Sequence, residues 1–352
     1  MGMALEYSLR TLEKTDGQAM AELDRQSPDT GAVAFSTVYL RDPYESLMLL
    51  HPGAIGVVAT VAERPGIVGM GIMSPGRCNF ESRLLPYAYL FSITVHPEYR
   101  RRGIASRIYS WLIDTARDAS GDETIIIAGI QSGNEGSLRT ARSWSTSLEQ
   151  RARTFMTPMR RRPYAGSRAY TVRRPEAVEW VEVARQQNAF YVGYDLYPPR
   201  TGAELMALHG NGDSVDCVRE YLVAADSLNR PVAGLSLTDE GSIEQMRIEK
   251  LPSALRAANR LLGVFPANGA MRRLPIRDLW FAPGHERAVK VLWETVRWSW
   301  RDRADIMMTF VDPGSPLARL VPRSRFIPPG SGYVAIAAPS APQEDRYLYH
   351  HS

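Results

Sequence analysis

Four apolar runs in the first half of the chain predict the strands of one sheet. Residues 55–62 and 67–73 are apolar and β-branched on either side of a Glu-Arg-Pro-Gly turn, which predicts a hairpin. Residues 89–95 form a third run, rich in aromatic side chains, after a predicted loop that contains Cys78. Residues 124–128 are apolar throughout, as expected of a central strand that is buried on both faces.

Apolar residues at helical spacing follow the later strands. Residues 107–116 follow the third run, and residues 134–141 follow the fourth. A short strand over residues 7–10 and a helix opening at residues 15–24 precede the hairpin. The pattern therefore predicts an α/β fold in which helices flank a sheet.

The second half of the chain repeats this order of features with low identity. A short strand, a helical stretch, a hairpin, a strand, a helix and a buried strand follow one another again, which predicts two tandem domains. The repeated strands are residues 170–173, 221–225, 232–237, 276–281 and 305–310, and the helices are residues 175–188 and 288–300.

Composition places the chain among ordinary globular proteins. Its 352 residues suggest about two domains, and 44% of them are hydrophobic. No run approaches the roughly 18 apolar residues of a membrane span, and the N-terminus lacks the apolar core of a signal peptide. Cys78 and Cys217 make neither a disulfide framework nor a metal cluster. We therefore expect a cytoplasmic protein with reduced thiols, without a bound metal and without a membrane partner.

A basic turn joins the third strand to its helix. Arg100, Arg101 and Arg102 precede Gly103, and Ala105 follows. Backbone N–H groups at a helix start point one way and the helix dipole favours an anion there, while glycine lets a bulky anion approach the backbone. The turn has neither the G-x-G-x-x-G spacing of dinucleotide-binding loops nor the Gly-Lys-Ser/Thr of a Walker loop.

The pattern Arg100-x-x-Gly103-x-Ala105, preceded by Val95-His-Pro-Glu-Tyr99, resembles the acyl-CoA pyrophosphate loop of the GNAT superfamily of N-acyltransferases. The order of strands and helices around it is also that of the GNAT fold, and the repeat extends the resemblance to tandem GNAT proteins. The resemblance implies an α/β (α+β) fold in which each domain is a twisted mixed sheet flanked by helices. The resemblance implies a GNAT domain at residues 4–165, a degenerate GNAT-like domain at residues 168–340, and a tail at residues 341–352.

The resemblance also implies where the acyl-CoA binds. The strand backbone at Ile93 and Val95 would pair with the pantetheine arm, and the Ile93 N–H would polarise the thioester carbonyl. The N–H groups of residues 101–106 would hold the pyrophosphate, and Asn134 would contact the pantetheine unless it only caps a helix. The expected cofactor-binding residues are Ile93, Thr94, Val95, Arg100, Arg101, Arg102, Gly103, Ile104, Ala105, Ser106 and Asn134.

The second copy of the loop is degenerate. Residues 282–289 read Ala-Pro-Gly-His-Glu-Arg-Ala-Val, with a single arginine and without the Arg-x-x-Gly-x-Ala spacing. Among tandem relatives, N-myristoyltransferases bind the acyl donor in the N-terminal half, whereas in mycothiol synthases the C-terminal half carries the transfer. The loop sequence therefore assigns the donor to the first domain here.

Acid and base residues are where the sequence departs from the family. Tyr89 occupies the position of a family glutamate base, and Ala141 that of a family tyrosine acid. Glu81, acting through a water, Tyr89 and Ser137 are the candidate catalytic residues, with a solvated loop position as the alternative for Glu81. The C-terminal carboxylate of Ser352 is a further option, because N-myristoyltransferases use theirs, although the tail is equally consistent with a frayed end.

Three functions remain open from the sequence. The leading one is transfer from acetyl-CoA or another acyl-CoA to a small-molecule amine, by direct attack in a ternary complex of a monomer or homodimer. Residues 26–50, the predicted loop at 74–88 and the second domain would then shape the acceptor site. The arginine-rich residues 151–174 could instead serve an aminoacyl-tRNA donor, the 3′-phosphate of CoA, or only a solvated surface. A non-catalytic acyl-CoA-binding protein is the third possibility.

Overall fold

The structure is a computed structural model that describes residues 6–27, 34–209, 218–250, 266, 269–325, 327–343 and 345–351. Cys217 and Ser352 lie outside these residues. The elements of the first half are β1 (Ser8–Thr11), α1 (Gly17–Gln26), β2 (Ala34–Tyr39), α2 (Pro43–Leu50), β3 (Ile55–Val61), β4 (Arg64–Phe80), β5 (Arg83–Val95), α3 (Ile104–Ser120), β6 (Ile125–Gln131), α4 (Glu135–Ala141) and β7 (Ser147–Pro158).

The second half contains a matching series. Its elements are β8 (Thr171–Arg173), α5 (Trp180–Phe190), β9 (Tyr194–Asp195), α6 (Gly202–His209), β10 (Arg219–Ala225), β11 (Pro231–Thr238), β12 (Glu244–Lys250), β13 (Ala270–Met271), β14 (Arg273–Phe281), α7 (Glu286–Ser299), β15 (Ile306–Val311), α8 (Leu317–Leu320), β16 (Gly330–Ala337) and β17 (Tyr347–Leu348). None of the described helices is both long and apolar enough to span a membrane.

A single twelve-stranded sheet runs through both halves. Its order is β1-β3-β4-β5-β6-β16-β7-β15-β14-β11-β10-β8. From the β1 edge, the first three strand pairs are antiparallel and the fourth, β5 with β6, is parallel. From the β8 edge, the first three pairs are likewise antiparallel and the fourth, β14 with β15, is parallel. The predicted mixed sheet and its repetition are confirmed.

The two halves exchange strands at the centre of this sheet. Strand β16, which comes late in the chain, lies between β6 and β7 and is antiparallel to both. Strand β7, which comes from the first half, pairs with β15 of the second half. Each half therefore receives a strand from the other, and the halves share one continuous hydrogen-bonded ladder. The boundaries at residues 165–168 and 340–341 stay predictions.

One long amphipathic helix covers each half of the sheet. Helix α3 buries Ile104, Ile108 and Leu112, spaced four residues apart, against the first half. Helix α7 does the same in the second half with Ala288, Leu292 and Val296. Gly71 allows the close approach of α3, because a Cβ there would lie 2.4 Å from the Ile108 side chain.

The predicted loop at residues 74–88 is wrong, because β4 and β5 extend through it as a long hairpin. The buried side chains of Cys78, Phe80 and Leu85 explain the extension. They pack in a cluster with Leu196 and Leu348, which belong to later parts of the chain. A local sequence pattern could not indicate these distant partners.

Candidate active site

The parallel pair β5 and β6 opens into a V. Pairing between the strands ends at Leu90 opposite Ala128, although β5 continues to Val95 and β6 to Gln131. Ser92 has a φ of 50°, and the pairing of β5 with β4 shifts register at this point. This bulge turns β5 away from β6 and leaves the strand edge at Ile93, Thr94 and Val95 without a β6 partner. Such an edge can pair with an extended ligand.

The loop after β5 ends at a helix without a side-chain cap. Gly103 is the N-cap of α3 with a φ of 82°, and no side chain accepts from the first N–H groups of the helix. The groups of Ile104, Ala105 and Ser106 therefore lack intrahelical acceptors and carry the positive end of a 17-residue helix. A Cβ on Gly103 would meet only the Tyr7 hydroxyl, at 4.0 Å, so the space in front of the glycine is open.

The three loop arginines have different surroundings. Arg100 donates from Nε to the Val95 carbonyl at 3.0 Å, which ties the loop to the end of β5. Arg101 and Arg102 are exposed, and Arg102 lies over the Tyr99 ring at 5.4 Å. The loop thus presents two exposed cations beside the uncapped helix start.

Asn134 and Ser137 lie at the end of β6, the other arm of the V. The Asn134 Oδ1 accepts the Ser137 N–H at 3.1 Å, so Asn134 is the N-cap of α4. This is the capping role that the sequence offered as the alternative to a cofactor contact.

Glu81 lies apart from these residues. It stands at the tip of the β4–β5 hairpin, where its carboxylate accepts the Ser340 hydroxyl at 2.7 Å and its N–H donates to Asp195. Ten residues of extended strand separate Arg83 from Ile93, which is roughly 30 Å at about 3.3 Å per residue. The fold does not bring Glu81 to the V.

Tyr89 lies where the V begins, opposite Ile127. Burial raises the pKa of Tyr89, and Arg277 and a hydrogen bond with the Gly129 backbone oppose that shift. The phenol therefore stays neutral at physiological pH and is a hydrogen-bond donor rather than a base.

Tyr89 borders two cavities. The larger has a volume of about 470 Å³ and lies between the halves of the chain. The smaller, of about 240 Å³, lies beside β6, β16 and β7 and is lined mainly by apolar side chains. The larger cavity is lined from the end of α2, from residues 74–77 and from the second half, which are the segments expected to shape an acceptor site.

The C-terminal tail separates the two cavities. Strand β17 pairs in parallel with β9, and the Tyr349 hydroxyl donates to Asp278 Oδ1 at 2.6 Å. The His351 ring packs against Tyr87 at 4.4 Å between ring centres, and it borders both cavities. The tail is thus docked through His351 rather than frayed, and the predicted option at Ser352 lies outside the described residues.

Sequence reasoning missed two histidines at this site. His51 follows α2 and packs on Phe91 at 4.4 Å between ring centres. Burial lowers the pKa of His51 to about 3, assisted by Arg277 and Arg219. Burial likewise lowers the pKa of His351 to about 3. No sequence motif includes either residue, because the segment after α2 and the C-terminal tail are brought to the site only by the tertiary fold.

The second half has the same V, but it is filled. Parallel pairing of β14 ends at Pro275, and Asp278 has a φ of 51°. The Tyr191 hydroxyl donates to the Leu279 carbonyl at 2.8 Å, and Tyr349 lies beside it. About 30 Å³ remains, which is the space of a single water.

Much of the arginine-rich stretch serves internal ion pairs. Arg151 pairs with buried Asp312 at 2.8 Å, and Arg173 pairs with Glu179 at 2.6 Å. Arg160, Arg161 and Arg162 line a basic cleft of about 830 Å³ next to the end of α7.

Comparisons with known proteins agree with this geometry. Residues 18–143 match the family model described as the acetyltransferase (GNAT) family. No curated protein sequence matches the chain.

Solved structures share the whole architecture at low identity, which shows the fold. Saccharomyces cerevisiae N-myristoyltransferase with bound myristoyl-CoA is 11% identical with a TM-score of 0.63, covering 98% of this chain and 87% of that one. A GCN5-related N-acetyltransferase from Sphaerobacter thermophilus is 12% identical with a TM-score of 0.58, covering 96% and 98%. One from Anabaena variabilis is 14% identical with a TM-score of 0.52, covering 94% and 72%. Residues 18–143 thus match the acetyltransferase (GNAT) family, and the chain as a whole shares the fold of these N-myristoyltransferase and N-acetyltransferase structures.

Proposed function

We propose that this protein is an N-acyltransferase that moves an acyl group from acyl-CoA, most simply acetyl-CoA, to the amine of a small molecule in a ternary complex. The observation that carries the proposal is the contrast between the two Vs. The first is open along Ile93 to Val95 and leads to the uncapped start of α3, whereas Tyr191 and Tyr349 fill the second.

The donor fits the first V by the chemistry of its parts. The amide groups of pantetheine would pair with the edge of β5, as an added strand does. The N–H groups of Ile104 to Ser106 would bind the pyrophosphate, with Arg101 and Arg102 contributing charge. The thioester would then lie near Tyr89, which borders both cavities.

The acceptor would occupy the 470 Å³ cavity and attack the thioester directly. The amine nitrogen bonds to the carbonyl carbon, the C–S bond breaks, and the CoA sulfur leaves as a thiolate that takes up a proton. Holding both reactants makes the step effectively unimolecular. The Ile93 N–H would stabilise the oxyanion, and the neutral Tyr89 hydroxyl would donate to developing negative charge. His51 and His351 are poor bases, because their pKa values are about 3. The amine would therefore arrive neutral or lose its proton to water.

The test separates binding from transfer. Calorimetric titration with acetyl-CoA should show saturable binding, and CoA thiol release should depend on an added amine. Tyr89→Phe should lower kcat by about 10²- to 10⁴-fold while CoA affinity stays the same. No binding at millimolar acetyl-CoA would contradict the proposal and favour an aminoacyl-tRNA donor, which the basic cleft at Arg160 to Arg162 would suit. Binding without thiol release across a broad amine panel would favour a non-catalytic role.

A further inference from the structure

The 470 Å³ cavity is strongly basic. Four arginines line it, against two carboxylates. Both carboxylates already have partners, because Asp278 accepts the Tyr349 hydroxyl and Glu204 accepts the N–H and hydroxyl of Thr201. The arginines are Arg77, Arg200, Arg219 and Arg277.

Two of the four arginines already bind backbone carbonyls. Arg77 donates to the Leu84 carbonyl, and Arg219 donates to the carbonyls of Leu49 and Leu50. These two guanidiniums therefore hold the cavity walls together.

Arg277 and Arg200 differ from that pair. Among the described residues, the buried Nε of each has no hydrogen-bond partner, and neither guanidinium has a carboxylate within ion-pair distance. A buried N–H without an acceptor is costly, so such a group in a cavity wall indicates a missing partner.

The two side chains are held toward the same place. Arg277 directly precedes the bulge at Asp278 on β14, and the backbone of Arg200 is fixed by two hydrogen bonds with the Asn188 side chain, at 2.8 and 3.2 Å. Both cations act electrostatically on Tyr349 and His351, which lie on the tail between the cavities. The charges therefore converge on the acceptor side of Tyr89.

We propose that the acceptor is an amine that also carries an oxyanion, a carboxylate or a phosphate, bound by Arg277 and Arg200. The inference rests on the proposed transfer to a small amine. Planar guanidinium groups bind either oxyanion with paired N–H donors, and an acceptor held at this end directs its amine toward the V.

The test uses matched amines that differ only in the anionic group. L-phenylalanine is compared with 2-phenylethylamine, β-alanine with ethylamine, and O-phosphoethanolamine with ethanolamine. Binding to the CoA-loaded protein and kcat/KM for acetyl-CoA-dependent transfer are both measured. We expect the anionic member of at least one pair to be favoured by about 10- to 100-fold, as for hydrogen bonds to charged groups. The favoured pair distinguishes carboxylate from phosphate.

Variants assign the preference to the arginines. Arg277→Gln and Arg200→Gln should each reduce the preference at least tenfold through KM, and Arg277→Lys should restore part of it. Arg117→Gln, which removes an exposed charge on α3, should leave the preference unchanged. Unchanged acetyl-CoA affinity in each variant establishes that it is folded.

Two results would overturn the inference. One is a panel in which no anionic amine binds more tightly than its neutral partner, and the other is a preference that survives both glutamine variants. Neither result affects acetyl-CoA binding, whose absence would instead contradict the proposed function.

Discussion

Ser92 and Asp278 adopt the same left-handed backbone conformation, with φ values of 50° and 51°, at equivalent positions of β5 and β14. Each residue lies where the strand's antiparallel pairing shifts register, and each follows the end of the parallel pairing with the next strand. Both halves therefore have a β-bulge that opens the V. They differ in that Tyr191 and Tyr349 fill the second V, whereas the first is open.

The first prediction concerns stoichiometry. Because Tyr191 and Tyr349 fill the second V, calorimetric titration with acetyl-CoA should give one site per chain. Tyr191→Phe removes the hydrogen bond to the Leu279 carbonyl and should cost about 1 kcal/mol of unfolding free energy without adding a site. Two sites of similar affinity in the unaltered protein would show that the second V opens in solution.

A second prediction uses the glycines at the two ends of α3. Gly103 and Gly121 have φ values of 82° and 93°, and a Cβ on either would meet no atom closer than 4.0 Å. Gly103→Ala and Gly121→Ala should therefore each destabilise the fold by about 1 kcal/mol through backbone strain. Only Gly103→Ala should weaken acetyl-CoA binding, by tenfold or more in a titration. Equal affinities of the two variants would remove the loop from the donor site.

The third prediction tests the docked tail. Tyr349→Phe leaves the buried Asp278 without the hydroxyl that it accepts, and we expect a loss of about 1–3 kcal/mol in urea unfolding. Tyr347→Phe is the matched control, because Tyr347 pairs with β9 through its backbone. Equal losses in the two variants would mean that the Tyr349–Asp278 bond contributes nothing specific.

The fourth prediction concerns acid stability. Burial lowers the pKa of His209 to about 4, although a hydrogen bond with the Leu205 carbonyl opposes the shift. An unfolded histidine has a pKa near 6.5, so between pH 6.5 and about 4 the unfolded chain binds a proton that folded His209 does not. The stability that depends on neutral His209 is therefore full above pH 6.5 and is lost as the pH falls toward 4.

Urea unfolding across this range measures the effect. Between these pH values His209 should add about 1.4 kcal/mol per pH unit to the slope of the unfolding free energy against pH. The slope for His209→Gln should be smaller by about that amount. Above pH 6.5 the two slopes should coincide, whatever the offset between the proteins. Parallel curves down to pH 4 would show that folded His209 takes up its proton at an ordinary pH.

Local sequence predicted the elements that local chemistry determines. The β-branched run before Gly103 and the helical spacing of α3 correspond to elements that form where expected. The predicted hairpin also forms, but its turn is tighter than the expected residues 63–66, because β3 ends at Val61 and β4 begins at Arg64. The predicted loop at 74–88 failed because its strands are stabilised by Leu196 and Leu348, which are far away in the chain. The same reason hid His51, Arg277 and His351, which become neighbours only when the halves pack together.

The exchanged strands also constrain how this protein can be made. The gap between β6 and β7 can close only when residues 330–337 are available, and these are synthesised after every other strand of the twelve-stranded sheet. Until β16 has been synthesised, the edges of β6 and β7 that it covers stay unpaired, and exposed strand edges favour aggregation. We therefore expect a premature stop between α3 and β16 to yield an insoluble fragment, even though the loop proposed to bind CoA would already be present.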